Sequence, residues 1–189
     1  MIAGAWGSVS NRGRVREVNE DSFVAAPPIF IVADGMGGHA AGEVASRLAI
    51  TQFSELIGAE LTDATDILAR IERANESIVE AANRDPALHG MGTTITGVAV
   101  VGASDTERWV VFNVGDSRVY RLLRGTLRQV TVDHSEVQEL VAAGRLSRAD
   151  ADTYPRRHVV TRCLGLDPAP EADSWVLDPE PGERFIICS

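Results

Sequence analysis

The spacing of apolar residues changes twice along the chain, and the changes divide it into blocks with different predicted structure. In the first 33 residues, short apolar runs bounded by turn residues favour strands, because runs of about four to eight such residues are typical of sheets. These runs cover 2–9, 22–26 and 29–33. The Pro27-Pro28 pair between the last two is typical of a hairpin connection.

In the second block, apolar positions recur every three or four residues, which predicts two amphipathic helices. The second helix is expected to begin at the Thr62-Asp63 cap and to end before Pro86. The predicted buried positions are Val44, Leu48, Ala49, Phe53 and Leu56 in the first helix, and Ile67, Leu68, Ile71, Ile78 and Val79 in the second.

Beyond residue 92 the period returns to two or to continuous apolar runs, which predicts consecutive antiparallel strands with turns at Gly115-Asp116 and Arg124-Gly125. The predicted elements are strands over 93–101, 109–114, 118–123 and 126–132, a helix ending near Gly144, a polar helix or loop over 147–154, and strands over 175–177 and 184–188. Blocks of strands alternating with helix pairs favour an α+β layered sandwich over a parallel fold.

Composition narrows the functional classes. The chain has 189 residues with 44% hydrophobic and 24% charged, as expected of one globular domain. Its net charge of -9 disfavours a nucleic-acid partner. All 18 basic residues are arginines, so phosphate recognition would use guanidinium groups. No signal peptide or membrane-spanning run is visible, so we expect a cytoplasmic protein with no membrane contact from this segment. We also expect a monomer, with Cys163 and Cys188 as reduced, buried thiols.

Two polar motifs at predicted strand ends suggest metal chemistry. They are Arg16-Glu17-Val18-Asn19-Glu20-Asp21 and Asp34-Gly35-Met36-Gly37-Gly38-His39. Asp34 ends an apolar run, so its charge needs compensation, which a hard divalent cation would supply. The alternative is a glycine-rich turn from strand to helix in which the aspartate is only a cap.

Three further motifs follow in order: Gly92-Thr93-Thr94, Asn113-Val114-Gly115-Asp116-Ser117-Arg118 and Thr131-Val132-Asp133-His134-Ser135. With these the chain resembles the PPM, or type 2C, family of metal-dependent protein phosphatases, particularly its bacterial branch. The resemblance runs from Arg12 to Ser189 and includes 159–162 and 181–185. It implies a four-layer α/β/β/α sandwich of two antiparallel sheets flanked by helices.

The resemblance also implies a metal site with two Mn²⁺ or Mg²⁺ ions. Asp34 would bridge both ions, Gly35 would offer its carbonyl oxygen, and Glu20 and Asp21 would bind directly or through water. Asp116 matches an aspartate that bacterial members use for a third, weaker ion. A plain turn residue is the alternative at that position.

Two basic residues complete the implied site. Arg16 matches the arginine that binds the substrate phosphate, for which a guanidinium fork is suited. His39 is a candidate general acid, although many eukaryotic relatives place a histidine at the position of Met36. Asp133-His134-Ser135 contains the residue types of a hydrolase triad, but adjacent residues cannot assemble that geometry. We expect Asp133 or Ser135 to cap a helix instead.

The implied function is hydrolysis of phosphoserine and phosphothreonine in proteins, including a serine/threonine kinase, by a metal-activated water. The alternatives are an inactive phosphoprotein-binding or regulatory module, or a phosphatase acting on a sigma-factor antagonist. Residues 154–158 depart from the family pattern, which would alter substrate preference. Further strands, a helix and metal-binding aspartates are expected beyond Ser189, so that residues 1–189 would be the N-terminal portion of the domain, incomplete at the C-terminus.

Overall fold

The computed structural model describes residues 4–14, 17–37 and 41–189. The described strands are β1 (Asp21–Ala26), β2 (Ile29–Met36), β3 (Gly92–Thr93), β4 (Ile95–Val101), β5 (Arg108–Val114), β6 (Arg118–Leu123), β7 (Thr126–Gln129), β8 (Asp173–Leu177) and β9 (Arg184–Cys188). The helices are α1 (Ala41–Ser54), α2 (Ala64–Arg84), α3 (Glu136–Ala142) and α4 (Arg148–Ala151), with a 3₁₀ turn at Pro86–Leu88. None of these helices is both long and apolar enough to cross a bilayer.

The strands form two antiparallel sheets. The larger sheet has the order β1-β2-β4-β5-β8, with β3 also paired to β2, and the smaller sheet has the order β7-β6-β9. Helices α1 and α2 pack against each other, and α1 covers β1 and β2. The predicted α+β class, with two antiparallel sheets flanked by helices, is therefore confirmed.

Two hydrophobic cores lie on opposite faces of the larger sheet. Between this sheet and the helices, the rings of Phe53 and Phe112 stack with centroids 5.9 Å apart. Between the two sheets, Trp109 packs edge-on against Phe185 at 5.2 Å. Successive side chains of a strand point to opposite faces, so one strand serves both cores.

A polar clamp also joins the two sheets. Glu183 accepts hydrogen bonds from the indole of Trp109 on β5 and from the guanidinium of Arg121 on β6, both at 2.6 Å. Arg121 also donates to the carbonyl oxygen of Asp178 at 2.9 Å. A buried carboxylate needs such partners, and here they come from both sheets.

The helix predictions agree with the structure in most details. Asp63 caps α2 by accepting a 2.7 Å hydrogen bond from the amide of Thr65, and α2 ends two residues before Pro86. Gly144, with φ of 67°, follows α3 as predicted. The buried face of α1 is rotated from the predicted stripe: Val44 and Leu48 are only half-buried, and Ala41, Ala45 and Ile50 face the core instead.

Three strand predictions were wrong. Residues 4–9 form no strand: Val9 is 92% exposed, and Trp6 is held by an edge contact with Phe30 at 5.9 Å instead of a ladder of hydrogen bonds. Strand β7 ends at Gln129, short of the predicted 132. Strands β5 and β6 are not a hairpin, because β5 pairs with β4 and β8 while β6 pairs with β7 and β9.

Candidate metal centre

Three acidic residues lie at one end of the β1–β2 ladder. Asp21 and Asp34 are direct partners in the antiparallel register, so their side chains emerge on the same face. The amide of Gly35 donates a 3.2 Å hydrogen bond to the carbonyl oxygen of Glu20, which extends the pairing by one step. The structure therefore brings together Glu20, Asp21, Asp34 and Gly35, as the sequence predicted.

Helix α1 begins in contact with this sheet edge, and two glycines make that possible. A Cβ on Gly35 would lie 2.1 Å from the carbonyl oxygen of Gly42 and 2.6 Å from that of Glu20. A Cβ on Gly42 would lie 2.7 Å from a carboxylate oxygen of Glu20. The Glu20 carboxylate thus lies against the first turn of α1, where the helix dipole favours negative charge.

The backbone of Asp34 is fixed by two buried threonines. Thr94 donates its amide to the Asp34 carbonyl oxygen at 2.9 Å, and its hydroxyl accepts from the Asp34 amide at 3.0 Å. The hydroxyl of Thr93 donates to the same carbonyl at 3.0 Å. The Gly92-Thr93-Thr94 motif was noted in the sequence without a role, and its role is to hold Asp34 in place.

Ser46 is a site residue that the sequence did not reveal. It is fully buried on α1, donates a 2.6 Å hydrogen bond to the carbonyl oxygen of Glu20, and lies 2.9 Å from the hydroxyl of Ser22. It thereby joins α1 to the strand segment that carries Glu20 and Asp21. A serine on the apolar face of a predicted helix is the only sequence signal that could have indicated it.

Ser189, the residue that follows β9, also contacts one of these acidic residues. The hydroxyl of Ser189, one residue beyond β9, donates a 3.0 Å hydrogen bond to Asp21. Asp21 belongs to the larger sheet, and β9, which Ser189 follows, belongs to the smaller sheet. Residues of both sheets therefore lie beside the Asp21 carboxylate.

Asp116 lies in the turn between β5 and β6, on the other side of Thr94. The hydroxyl of Thr94 is 2.8 Å from that of Ser117, so the threonine that holds Asp34 also contacts the residue after Asp116. Burial raises the pKa of Asp116, and the charge of Asp133 adds to the effect, although its own backbone amide, Arg118 and His158 oppose it.

The oxygen atoms of Glu20, Asp21, Asp34 and Gly35 are of the type that binds a hard divalent cation. Carboxylate and carbonyl oxygens are the ligands that Mg²⁺ and Mn²⁺ prefer. Carbonyl oxygens of Glu20 and Gly42 and a carboxylate oxygen of Glu20 lie so close to Gly35 and Gly42 that neither glycine has room for a Cβ. Across 4–14, 17–37 and 41–189, no three His, Cys, Asp or Glu side chains by themselves form a group able to hold a metal ion.

Arg16 and His39, the two predicted basic site residues, lie outside the described residues. The Asp133-His134-Ser135 segment is no triad, since each side chain has a different partner. Asp133 pairs with Arg118 at 3.0 Å, and Ser135 caps α3 by accepting from the amide of Gln138 at 3.3 Å. Helix capping is thus confirmed for Ser135.

The cysteines are both free thiols and are half-buried, less buried than predicted. Burial raises the pKa of the Cys163 thiol above its ordinary value of 9.0. A thiol with a raised pKa is a poor nucleophile at neutral pH. Cys163 is therefore unsuited to covalent catalysis.

Comparison with known proteins places this geometry in a family. Residues 12–189 match the model of the protein phosphatase 2C family. The serine/threonine phosphatase stp of Listeria welshimeri is 40% identical over 192 residues, a match covering 95% of this chain and 74% of the Listeria protein. Serine/threonine protein phosphatase PstP of Mycobacterium tuberculosis is 39% identical over 95% of this chain and 34% of its own length.

Solved structures agree. The M. tuberculosis phosphatase PstP/Ppp superposes with a TM-score of 0.89 at 38% identity, over 96% of this chain and 76% of that one. The catalytic domain of PstP in complex with two manganese ions gives a TM-score of 0.81 at 38% identity, over 96% and 75% of the two chains. The match of residues 12–189, with relatives near 40% identity and the same fold, shows that this chain belongs to the protein phosphatase 2C family.

Proposed function

We propose that this chain is a metal-dependent phosphatase that hydrolyses phosphoserine and phosphothreonine in proteins. The observation that carries the proposal is the position of Asp34, opposite Asp21 in the ladder and fixed through its backbone by Thr94. Two facing carboxylates at a sheet end offer oxygen atoms of the kind that a hard divalent cation binds.

Asp34, Asp21, Glu20 and the carbonyl oxygen of Gly35 would hold two Mn²⁺ or Mg²⁺ ions, and Asp116 would contribute to a third. Such ions, when bound, supply a nucleophilic water near neutral pH and offset the negative charge of a phosphoryl group. The chain's part is to keep these oxygens in fixed positions. Thr93 and Thr94 do so for Asp34, and Ser46 does so for the Glu20 backbone.

The phosphate would be bound by Arg16, whose guanidinium can pair with two phosphoryl oxygens and offset their charge in the transition state. In the reaction a water oxygen forms a bond to phosphorus as the bond to the serine or threonine oxygen breaks. The attacking water gives up a proton to solvent, and the leaving oxygen takes up a proton, for which His39 is the candidate donor. No covalent phosphoenzyme is needed, in keeping with the raised pKa of Cys163.

Phosphorylated proteins are the proposed substrates, and a serine/threonine kinase of the same cell is the expected one among them. A monomer in the cytoplasm is the expected state. The net charge of -9 supports a protein partner over nucleic acid. These assignments extend the family relationship to this chain.

The test is release of inorganic phosphate from a phosphothreonine peptide by the purified full-length protein, with and without Mn²⁺. We expect hydrolysis that EDTA abolishes and Mn²⁺ restores, and that Asp34→Asn lowers at least about a hundredfold, equivalent to ~2.7 kcal/mol of transition-state stabilisation. Asp105→Asn, an exposed position in the loop at the opposite end of β4, is the matched control.

Two results would contradict the proposal. Turnover that is unaffected by EDTA would remove the metal from the mechanism. Saturable binding of the phosphopeptide without any Mn²⁺-dependent turnover would favour the alternative, an inactive phosphoprotein-binding module of the same fold.

A further inference from the structure

His134 holds the turn that carries Asp116 through both backbone groups of Gly115. The amide of Gly115 donates to Nδ1 of His134 at 3.1 Å, and the carbonyl oxygen of Gly115 accepts from the amide of His134 at 2.9 Å. The His134 side chain is buried, with 5% exposed. A backbone amide that donates to Nδ1 defines the tautomer of the neutral imidazole.

The contacts determine which ring nitrogen carries the proton. Because the Gly115 amide can only donate, Nδ1 must accept, and in the neutral ring the proton is then on Nε2. Nε2 lies 3.3 Å from a carboxylate oxygen of Asp173, which can accept it. Arg162 is 3.4 Å from Nε2, but both atoms are donors, so Arg162 pairs instead with Asp173 at 3.2 Å.

No residue with a side chain fits at Gly115 in this turn. Its φ is 114°, and a Cβ there would lie 2.5 Å from the Thr94 side chain. The carbonyl oxygen of Gly115 also accepts from the side-chain amide of Asn113 at 2.9 Å. Ser117, on the other side of Asp116, contacts Thr94 at 2.8 Å. Asp116 therefore lies between two fixed residues.

His134 also connects this turn to the segment that follows α4. Its carbonyl oxygen accepts from the amide of Thr161 at 2.8 Å, and the amide of Glu136 donates to the carbonyl oxygen of Val159 at 3.0 Å. His134 thus bonds the Asp116 turn through its ring and amide, and Thr161 through its carbonyl oxygen.

We propose that His134 is a positioning residue whose neutral imidazole fixes the Gly115–Asp116 turn and keeps the Asp116 carboxylate ready for a divalent cation. The inference rests on the proposed function, in which Asp116 is a metal ligand. Residues that orient a ligand from behind typically change metal affinity about 10–100-fold when they are replaced. His134 would act less directly, because it contacts the backbone of Gly115 and not Asp116 itself.

The first experiment needs no variant. Long-range ¹H–¹⁵N spectra of the metal-free protein should show the His134 ring with Nδ1 unprotonated and Nε2 protonated. A proton on Nδ1 would overturn the inference, because the Gly115 amide would then have no acceptor in the ring.

The second experiment compares His134→Asn with His134→Leu, two side chains of nearly equal size. Asparagine can place an acceptor oxygen near the position of Nδ1, and leucine cannot. In calorimetric titrations, Asp116→Ala should remove one Mn²⁺ binding step. We expect His134→Leu to weaken the affinity of that same step by about tenfold or more. We expect His134→Asn to remain within about threefold of the wild type by the same measure.

The outcomes separate the inference from the proposed function. If Asp116→Ala binds Mn²⁺ like the wild type, the assignment of Asp116 as a ligand is wrong and the role of His134 falls with it. If Asp116→Ala loses a step but a folded His134→Leu does not, the role of His134 alone is wrong. Should His134→Leu fail to fold, His134→Asn decides: Mn²⁺ binding as weak as that of Asp116→Ala would overturn the inference, and wild-type binding would support it.

Discussion

Asp21 and Asp34 face each other across the antiparallel pair of β1 and β2, so two carboxylates emerge from the same face at one end of the larger sheet. Like charges at directly opposed positions destabilise an antiparallel pair. A cation bound between them would reverse that effect. If these carboxylates bind metal, as proposed, the stability of the fold and the binding of metal are coupled at this position.

The first prediction follows from that coupling. Without metal, Asp34→Asn should melt at the same temperature as the wild type or higher, because one of two facing charges is removed. With Mn²⁺ the melting temperature of the wild type should rise and that of Asp34→Asn should rise much less. Calorimetric melting with and without Mn²⁺ measures both effects, with Asp105→Asn as control. Equal Mn²⁺-dependent rises in the two proteins would remove Asp34 from the metal site.

The second prediction concerns the contact of β2 with α1. Gly35→Ala should destabilise the protein by about 3 kcal/mol, the upper end of the range for overpacking, because its Cβ would meet backbone atoms of Gly42 and Glu20 that cannot rotate away. Gly7→Ala is the matched control, since no atom lies within 4 Å of a Cβ there. Urea denaturation of both variants gives the comparison. A loss in Gly35→Ala no larger than in Gly7→Ala would show that α1 can move away from the sheet.

The third prediction concerns Arg16. If this residue binds the substrate phosphate, Arg16→Ala should raise KM for a phosphopeptide, with a loss in kcat/KM equivalent to about 1.5–3 kcal/mol. Its melting temperature should stay near that of the wild type. The neighbouring Arg14, which is exposed, provides the control substitution Arg14→Ala. Wild-type kinetics in Arg16→Ala, or unfolding of that variant, would count against the role.

The fourth prediction concerns the polar clamp between the sheets. The side chains of Arg121 and Glu183 are 18% and 6% exposed, so Glu183→Gln leaves a poorly compensated buried guanidinium. We expect a loss of about 3 kcal/mol in the free energy of unfolding. Glu180→Gln removes an exposed ion pair with Arg124 and should cost less than about 1 kcal/mol. Similar losses in the two variants would mean that the clamp adds nothing beyond a surface ion pair.

The fifth prediction is a pH dependence. Burial raises the pKa of Cys163 above 9.0, so the thiol of the unfolded chain ionises at lower pH than that of the folded chain. Well below pH 9.0 the thiol is protonated in both states and the stability of the protein is unaffected by its ionisation. As pH rises from there through the pKa of Cys163 in the folded protein, the free energy of unfolding decreases. Urea denaturation at pH 8 and pH 10 should show a smaller drop for Cys163→Ala than for the wild type. Cys188→Ala, which retains Cys163, is the control, and identical drops in all three would show that Cys163 does not contribute.

The sequence by itself determined the elements and the residue types of the site. Periodicity located α1 and α2, and Asp63 marked the start of α2, because both signals depend only on neighbouring residues. The sequence also predicted a strand over 29–33, and the structure extends it through Asp34 and Gly35 to Met36. The motifs spread from Arg12 to Ser189 indicated the family, and the two that flank the first hairpin led to the proposed metal ligands.

Only the tertiary structure decided which distant groups meet. That β5 and β6 enter different sheets depends on pairings with β8 and β9, which lie some 60 residues later in the chain. Ser46 reaches Glu20 across 26 positions, and His134 reaches Gly115 across 19, although His134 looked like part of a structural turn in the sequence. A local pattern fixes the conformation of a segment, whereas sheet membership and buried hydrogen-bond partners are chosen by the packing of the whole domain.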